Sequence, residues 1–378
     1  MKKLGFGFMR LPVLDENDRS TVDFEAVREM VDYYMQAGFS YFDTAHRYND
    51  EMSETALRRT LTSRYPRESY VLADKLTLNY IKKPEDMEPF FQKQLMLCGA
   101  EYFDTYLIHN LGEAWYPMAE RVGAFSFLFD LKRRGLVKRI GFSFHGTPQM
   151  LEQILTQHPE TEVVQLQINY LDWEDEALRA KECYEIARKH GKPVIVMEPV
   201  KGGTLVNLPR EAEEILKATD SRASLASWAI RFAAGLEGVE MVLSGMSTME
   251  QVKDNTGFMG QFIPLGEKEQ ELLKRAAAAI RKNTAIACTN CCYCTNCCYC
   301  TTECPRNLAI PQYFALYNNM KRLKNTAYMT NQPVYYANLV QNHGRASDCI
   351  RCGKCEKNCP QRLPIRELLQ QVSAVFDC

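Results

Sequence analysis

The sequence predicts an α/β protein in which a (β/α)8 barrel is followed by a small, mainly helical domain. Short β-branched or aromatic runs alternate with longer amphipathic stretches over most of the chain, which is typical of βα units around a parallel sheet. The 378 residues suffice for a barrel of about 250 residues and an appended domain. Twelve of the fifteen cysteines lie within 288–304 and 349–359, which sets the C-terminal part of the chain apart.

Eight candidate strands follow one another in the first part of the chain, and eight is the number that closes such a barrel. They are predicted at 4–8, 41–44, 70–73, 105–108, 140–143, 163–168, 194–197 and 241–244. Apolar residues at helical spacing lie between several of these runs and stop at Gly38, Gly191 and Gly235. Glycine is common just past the end of a helix, so each such helix leads into the next strand.

A charged helix around 267–282 leads into the first cysteine run. We therefore place the domain boundary near residue 280 and predict a barrel over 1–280 and a second domain over 281–378. Helices are predicted in the second domain at 311–323 and 365–372.

Composition excludes several classes of partner and location. The net charge of -1 and the hydrophobic share of 46% give no reason to expect nucleic acid or an anionic membrane as a partner. The apolar run after Lys3 is broken at Arg10 and Pro12, unlike a secretory signal, and no stretch of about 18 apolar residues predicts a membrane span. We therefore expect a cytoplasmic protein, in which clustered thiols indicate metal rather than disulfides.

One cysteine spacing, C-x2-C-x2-C-x3-C-P, occurs twice, ending at Pro305 and at Pro360. It is the ferredoxin signature, in which three thiolates of one tight loop bind one cubane cluster and the fourth ligates the other cluster. The spacing predicts a ferredoxin-like domain with two four-iron four-sulfur (4Fe-4S) clusters. We assign one cluster to Cys294, Cys297, Cys300 and Cys359, and the other to Cys349, Cys352, Cys355 and Cys304.

Two alternatives concern these cysteines. Paired CxxC motifs also suit a structural zinc site, but the order of eight cysteines with a proline after each fourth one favours iron-sulfur clusters. A hexapeptide beginning at Cys288 is repeated without change from Cys294, so four thiols are surplus to the two clusters and are bystanders or alternate ligands. The surplus cysteines are Cys288, Cys291, Cys292 and Cys298.

Titratable residues also gather where the early barrel strands end. Asp43 lies at the end of the second strand and Tyr48 just after it, Lys75 follows the third, and His109 follows the fourth. Catalytic groups of such barrels come from the carboxyl ends of the strands. Each residue alone has an ordinary structural explanation, but together they form a plausible acid-base set.

These residues resemble the tetrad of the aldo-keto reductase family, in the contexts Asp43-Thr-Ala-His-Arg-Tyr48 and Leu107-Ile-His109. The resemblance implies that Tyr48 protonates a carbonyl oxygen as hydride arrives from a nicotinamide. It also implies that Lys75 lowers the pKa of the phenol, which is ordinarily about 10, that Asp43 fixes Lys75, and that His109 orients the carbonyl group.

The same resemblance suggests how NADP(H) or NAD(H) would be held. It implies that Ser143 and Gln165 contact the carboxamide, and that Asn255 lies near the adenine. The loop Pro199-Val-Lys201-Gly202-Gly203 would contact the pyrophosphate. The chain departs from the family where Asn usually follows the serine, since it has Phe144 and then His145, and where a tyrosine usually stacks on the nicotinamide, since it has Met197. The basic residues that usually meet the 2′-phosphate are replaced at about Gly245 and Gln251.

Three hypotheses for the function follow. In the first, the barrel reduces a small aldehyde or ketone with NAD(P)H, and the clusters support folding, electron transfer or redox sensing. In the second, a one-electron donor such as ferredoxin or flavodoxin feeds a bound flavin or other acceptor through the clusters, because a nicotinamide transfers two electrons and a cluster transfers one. In the third, the protein is a regulatory nicotinamide-binding redox sensor.

Overall fold

The computed structural model describes residues 2–175, 178–219, 223–282, 285–286, 288, 299–322, 330–359 and 361–377. Eight parallel strands close into a barrel in the order β1-β10-β9-β8-β7-β6-β5-β4. These strands are β1 (Leu4–Gly7), β4 (Tyr41–Asp43), β5 (Val71–Leu76), β6 (Phe103–Leu111), β7 (Val137–Phe144), β8 (Val163–Gln167), β9 (Val194–Met197) and β10 (Val239–Ser244). The predicted (β/α)8 barrel is confirmed, with strand ends that differ by a few residues.

The barrel interior is filled by side chains rather than left as a channel. An apolar cluster of inward-facing residues from six of the strands occupies it, namely Tyr41, Ala73, Leu107, Val163, Ile195, Met241 and Leu243. Gly141 on β7 allows a close approach of β8, because a Cβ atom there would lie 2.1 Å from the carbonyl oxygen of Val163. This filled interior leaves only the ends of the barrel for a binding site.

Helices surround the barrel. They are α1 (Phe24–Gln36), α2 (Ser53–Leu57), α3 (Met87–Cys98), α4 (Tyr116–Val122), α5 (Ala124–Arg133), α6 (Pro148–Gln157), α7 (Ala180–Lys189), α8 (Arg210–Lys217), α9 (Leu225–Gly235), α10 (Met249–Gly260) and α11 (Glu267–Lys282). Several begin at a side-chain cap, as where Thr147 accepts a hydrogen bond from the backbone of Met150 and Ser224 accepts one from Ser227. Such caps satisfy the unpaired N–H groups of the first turn.

A hairpin of two short strands, β2 (Val13–Asp15) and β3 (Asp18–Val22), follows β1. The sequence did not predict it, because its residues are mostly polar, all but one are at least partly exposed, and its strands are only three and five residues long. Short 3-10 turns, including Lys201–Val206, occupy other connections.

The C-terminal part is mainly helical, as predicted. Its helices are α12 (Tyr299–Thr302), α13 (Ile310–Lys321), α14 (Gln332–Leu339), α15 (Lys354–Lys357) and α16 (Ile365–Phe376). They have a core of their own, in which Tyr313, Tyr336 and Leu369 are buried, and the rings of Tyr336 and Phe376 stack with centroids 4.9 Å apart. None of the described helices combines the length and the apolar character that a membrane span needs.

Candidate functional site

A cavity of about 1100 Å³ opens at the carboxyl ends of the barrel strands. Its wall includes Gly7 at the end of β1, Asp43 at the end of β4, Met197 at the end of β9 and Ser244 at the end of β10. Tyr48 and His109 also line it. The cavity therefore lies on the face of the barrel where catalytic groups gather.

A buried ion pair lies at the floor of the cavity. The Nζ atom of Lys75 donates to Oδ1 of Asp43 at 2.6 Å and to the carbonyl oxygen of Thr44 at 2.7 Å. Burial, the largest single effect, lowers the pKa of the Lys75 ammonium, but the neighbouring acidic groups Asp43, Tyr48 and Asp74 together outweigh it, and the pKa lies above its ordinary value. Lys75 therefore stays charged, and Asp43 holds it in place.

Tyr48 lies in the loop after β4, beside this pair. The Nζ atom of Lys75 is 5.0 Å from the centroid of its ring. Burial raises the pKa of the Tyr48 phenol, while the charge of Lys75 opposes that rise without cancelling it. Lys75 therefore acts in the predicted direction, but burial has the larger effect because water is excluded, and the net pKa of Tyr48 lies above its ordinary value.

His109, on β6, completes the tetrad. Its ring packs edge-on against the ring of Tyr48, with centroids 5.9 Å apart, and its Nδ1 atom is 3.1 Å from the hydroxyl of Thr77. Burial lowers the pKa of His109 well below its usual range, and the charge of Lys75 lowers it further. The imidazole is neutral, so it can orient a carbonyl oxygen by hydrogen bonding. The structure thus brings all four tetrad residues together.

A second buried polar cluster, which the sequence did not reveal, lies behind Lys75. The Nε2 atom of Gln94 on α3 donates to the carbonyl oxygen of Lys75 at 3.1 Å and to Oε1 of Glu54 at 2.9 Å. Oxygen and sulfur atoms of Glu54, Asp74 and Cys98 lie within 4.8 Å of one another, and all three residues are buried. Asp74 directly precedes Lys75 in the sequence, which was the only available hint.

Five of the six predicted cofactor contacts line the cavity, and three of them are polar side chains. Ser143 accepts a hydrogen bond from the backbone of Asn110 at 2.8 Å. Gln165 lies 3.5 Å from Asp43 through its Nε2 atom, and Asn255 donates to Ser244 at 3.0 Å. The amide oxygens of Gln165 and Asn255 are buried with no hydrogen-bond partner in the described part of the chain. Buried polar atoms without a partner are costly, so they fit a ligand with complementary donors, such as a nicotinamide carboxamide or an adenine.

The loop after β9 agrees with the prediction only in part. Gly202 and Gly203 line the cavity and adopt φ angles of 59° and 93°, which favour glycine. Lys201 differs, because its ammonium forms a buried ion pair with Asp172 and is not part of the cavity wall. It is therefore a structural support of the loop rather than a residue poised to contact the pyrophosphate.

The C-terminal domain supplies part of the cavity wall, which the sequence did not show. Six of its described residues line the cavity: Arg322, Thr330, Asn331, Pro333, Val334 and Ala337. Asn338 joins the two domains, since its Nδ2 atom donates to the carbonyl oxygen of His145 at 2.9 Å and its Oδ1 atom accepts from the backbone of Ala114 at 3.0 Å. The wall of the cavity is thus shared between the two domains.

Three cysteines of the second motif lie together with one cysteine of the first. A small cavity is lined by Cys349, Cys352 and Cys355 together with Cys304 from the first motif. These four residues match one predicted ligand set, including the cysteine that crosses from the other motif.

Of the other predicted set, Cys300 is buried and Cys359 is partly buried, and both pack against the core of the C-terminal domain. Cys294 and Cys297 lie outside the described residues, as do the surplus Cys291, Cys292 and Cys298. The surplus Cys288 is partly buried against the same core.

Comparison with known proteins places the barrel in a family. The sequence model described as "Aldo/keto reductase family" matches residues 3–278, which is most of the chain. This chain belongs to the aldo/keto reductase family. A second model, "4Fe-4S dicluster domain", matches residues 293–363 of this aldo/keto reductase. The family resemblance and the ferredoxin-type domain predicted from the sequence are therefore confirmed.

Individual relatives are distant. A 7-acetyl-epi-neemfruitin B aldo-keto reductase of Melia azedarach is 29% identical over 196 residues, covering 47% of this chain and 57% of its own length. The match thus spans little more than half of that relative. An aldo-keto reductase of Bacillus halodurans, solved in its holo form, has a TM-score of 0.59 at 24% identity and covers 73% of this chain and 92% of its own.

An aldo/keto reductase of Klebsiella pneumoniae, solved in complex with NADP and acetate, has a TM-score of 0.56 at 19% identity and covers 72% of this chain and 90% of its own. At these identities the two solved structures show a shared fold for this aldo/keto reductase.

Proposed function

We propose that this protein reduces the carbonyl group of a small aldehyde or ketone with NADPH or NADH, and that Tyr48 is the general acid. The observation that carries the proposal is the tetrad at the floor of the cavity, with the Lys75–Asp43 ion pair beside Tyr48. When bound, the reduced nicotinamide supplies hydride. The residues of the chain supply the proton and hold the carbonyl group.

Burial keeps the Tyr48 phenol protonated, so its O–H can donate to the carbonyl oxygen and then transfer the proton. The ammonium of Lys75 stabilises the phenolate that remains, because it lies close to the ring in a water-poor site. Asp43 keeps that ammonium charged and in place. Nδ1 of neutral His109 is engaged with Thr77, which leaves Nε2 to orient the same carbonyl oxygen.

The residues that would hold the nicotinamide cofactor are Ser143, Gln165, Asn255, Gly202 and Gly203. The unpartnered amide oxygens of Gln165 and Asn255 support this assignment, as does the NADP in the related Klebsiella structure. Gly245 and Gln251 line the cavity where related enzymes carry basic residues, so we expect NADPH to have little advantage over NADH.

We further propose that the C-terminal domain holds two 4Fe-4S clusters, one by Cys349, Cys352, Cys355 and Cys304 and the other by Cys294, Cys297, Cys300 and Cys359. The convergence of the first set on one small cavity supports this assignment. Clusters of this type transfer single electrons when bound. Their main role here is to fold the domain that closes the substrate end of the cavity.

Replacing one hydroxyl tests the proposed reaction. Tyr48→Phe removes the general acid and keeps the ring, so kcat for NADPH-dependent aldehyde reduction should fall about 10² to 10⁴-fold, while NADPH binding measured by fluorescence should persist. Tyr33→Phe is the matched control, because Tyr33 is exposed on α1, and it should behave as the unaltered protein. Equal activity of the two variants would rule out Tyr48 as the acid.

A further inference from the structure

His145 is a buried histidine that the proposed reaction does not use. It follows β7 directly, is only 2% exposed and lines the cavity. Its backbone N–H donates to the carbonyl oxygen of Leu111 at 2.8 Å, which fixes its position on the barrel. Its Nδ1 atom is buried and has no hydrogen-bond partner in the described part of the chain.

The C-terminal domain holds this histidine from the other side. Asn338 on α14 donates to the carbonyl oxygen of His145 and accepts from the backbone of Ala114. The ring of Tyr335, also on α14, meets the imidazole edge-on with centroids 5.4 Å apart. Gly112 makes room for this contact, because a Cβ atom there would lie 2.4 Å from Nδ2 of Asn338.

The protonation state of His145 determines what it can recognise. Burial lowers the pKa of His145 to about 3, so the imidazole is neutral at ordinary pH and carries a single N–H group. A buried N–H without a partner costs more than a buried lone pair. The proton therefore belongs on Nε2, which makes this atom a hydrogen-bond donor.

His145 also lies near the reacting carbonyl group. Its backbone bonds to Leu111, two residues beyond His109 on β6, and both imidazoles line the same cavity. Since His109 orients the carbonyl oxygen in the proposed reaction, we expect a donor on the neighbouring His145 to face a substituent on the carbon next to the carbonyl group.

Building on the proposed carbonyl reduction, we propose that His145 selects the substrate by donating a hydrogen bond from Nε2 to a hydroxyl oxygen on the carbon next to the carbonyl group. Asn338 is its positioning residue. The substrate class is therefore 2-hydroxylated aldehydes and ketones, and the iron-sulfur domain contributes to their recognition through its hold on His145.

Two aldehydes that differ in one hydroxyl group test this proposal. The unaltered protein should reduce 2-hydroxypropanal with a kcat/KM about tenfold higher than that for propanal, the effect of one neutral hydrogen bond. His145→Phe should abolish that preference while keeping activity toward propanal. An equal loss toward both aldehydes, or an unchanged preference, would overturn the proposal.

Asn338→Ala tests the positioning role. It should weaken the preference for 2-hydroxypropanal chiefly through a higher KM, because the imidazole is retained but no longer held. Val334→Ala is the matched control, since Val334 is an apolar residue of the same wall and its truncation should affect both aldehydes alike. If Asn338→Ala lowers kcat for both aldehydes equally, Asn338 is merely structural and the positioning role is wrong.

A binding measurement separates this proposal from the proposed reaction. With saturating NADP⁺, propane-1,2-diol should bind the unaltered protein about tenfold more tightly than propan-1-ol. Binding can be measured by tryptophan fluorescence, because Trp115 lies in the cavity wall. A preference for the diol that His145→Phe abolishes supports the role of His145 even if no aldehyde is reduced. Equal binding of both alcohols contradicts it even if aldehydes are reduced.

Discussion

Burial sets the protonation state of the residues at the floor of the cavity. It raises the pKa of Tyr48 against the opposing charge of Lys75, and it lowers the pKa of His109 well below its usual range. A protonated phenol and a neutral imidazole are the forms that carbonyl reduction needs. Exclusion of water thus prepares both groups before a substrate binds.

The pH dependence of the reaction follows from these directions. Burial moves the pKa of His109 below its ordinary value of 6.5 and the pKa of Tyr48 above its ordinary value of 10.0. Neither residue therefore changes its charge between about pH 6.5 and about pH 9. We expect kcat/KM for aldehyde reduction to be flat over this interval in a steady-state pH profile. A step near pH 6.5 that disappears in His109→Gln would show that the imidazole is not neutral.

The Asp43–Lys75 pair should matter for stability as well as for catalysis. Both residues are buried, and removing one partner of such a pair leaves an uncompensated charge. Asp43→Asn should lower the free energy of unfolding by about 3–5 kcal/mol, measured by urea denaturation of the protein with its clusters intact. Lys138→Met is the control, since Lys138 pairs with Asp104 at the surface and its loss should cost less than about 1 kcal/mol.

The sequence predicted which residues form the tetrad, but not the direction in which burial and charge together shift the pKa of Tyr48. Asp43, Tyr48, Lys75 and His109 were recognisable because each lies at or near the end of a strand, and the topology of a parallel barrel brings strand ends together. The net pKa of Tyr48 depends on burial, which has no sequence motif. The pairing of Lys201 with Asp172 was also missed, because Asp172 lies in a loop whose path the sequence does not define.

At the scale of elements, β5 and helices α2 and α3 enclose a buried acidic pair. Burial raises the pKa of Glu54 from its ordinary value of 4.5 to about 7, and burial raises the pKa of Asp74 well above its usual range, helped by the charge of Glu54. Nδ1 of His46 lies 2.6 Å from Glu54. Gln94 connects these groups to Lys75, because its Nε2 atom donates both to Glu54 and to the carbonyl oxygen of Lys75.

Glu54 should therefore make the protein less stable as the pH rises. Its folded pKa is above its unfolded pKa, so the folded state binds the proton more tightly, and this stabilisation is lost between pH 4.5 and about pH 7. Glu54→Gln cannot ionise, so its stability relative to the unaltered protein should be greater at pH 8 than at pH 5, measured by urea denaturation. The reverse order would show that Glu54 is ionised at low pH.

The barrel strands were predictable because their β-branched and aromatic runs are bounded by glycines and polar turns. The hairpin of β2 and β3 was not, because its short polar strands lie at the surface and show no apolar alternation. Among the predicted cluster ligands, the crossing of Cys304 to the second motif follows from spacing alone, and the structure places Cys304 with Cys349, Cys352 and Cys355.

At the scale of the whole molecule, the C-terminal domain forms part of the cavity wall at the carboxyl end of the barrel. Arg322, Asn331 and Val334 line the cavity, and Asn338 ties the domain to two backbone groups of the barrel. The sequence could not place this domain, because contacts through single asparagine and valine side chains form no motif. The wall that it supplies is nevertheless part of the proposed substrate site.

The assignment of ligands to two clusters predicts which cysteines share a cluster. Cys304→Ser and Cys355→Ser should each lower iron and acid-labile sulfide from about eight to about four per chain, and the remaining cluster should give the same electron paramagnetic resonance spectrum in both variants. Cys300→Ser should leave the other cluster and a different spectrum. Cys183→Ser, at a buried cysteine on α7, is the control and should lose no iron. Matching spectra for Cys304→Ser and Cys300→Ser would contradict the crossing.

In the proposed function, the barrel reduces a carbonyl group with a nicotinamide and the clusters do not carry the electrons. The most direct test is to mix the anaerobically purified protein with NADPH and 2-hydroxypropanal, and to follow NADPH and cluster absorbance together while the alcohol is quantified. We predict that one NADPH is consumed for each alcohol formed and that the cluster absorbance does not change. Tyr48→Phe should slow NADPH consumption and alcohol formation by the same factor, about 10² to 10⁴. If no alcohol forms until a one-electron donor such as reduced ferredoxin is added, and the clusters then cycle between redox states, the account is wrong.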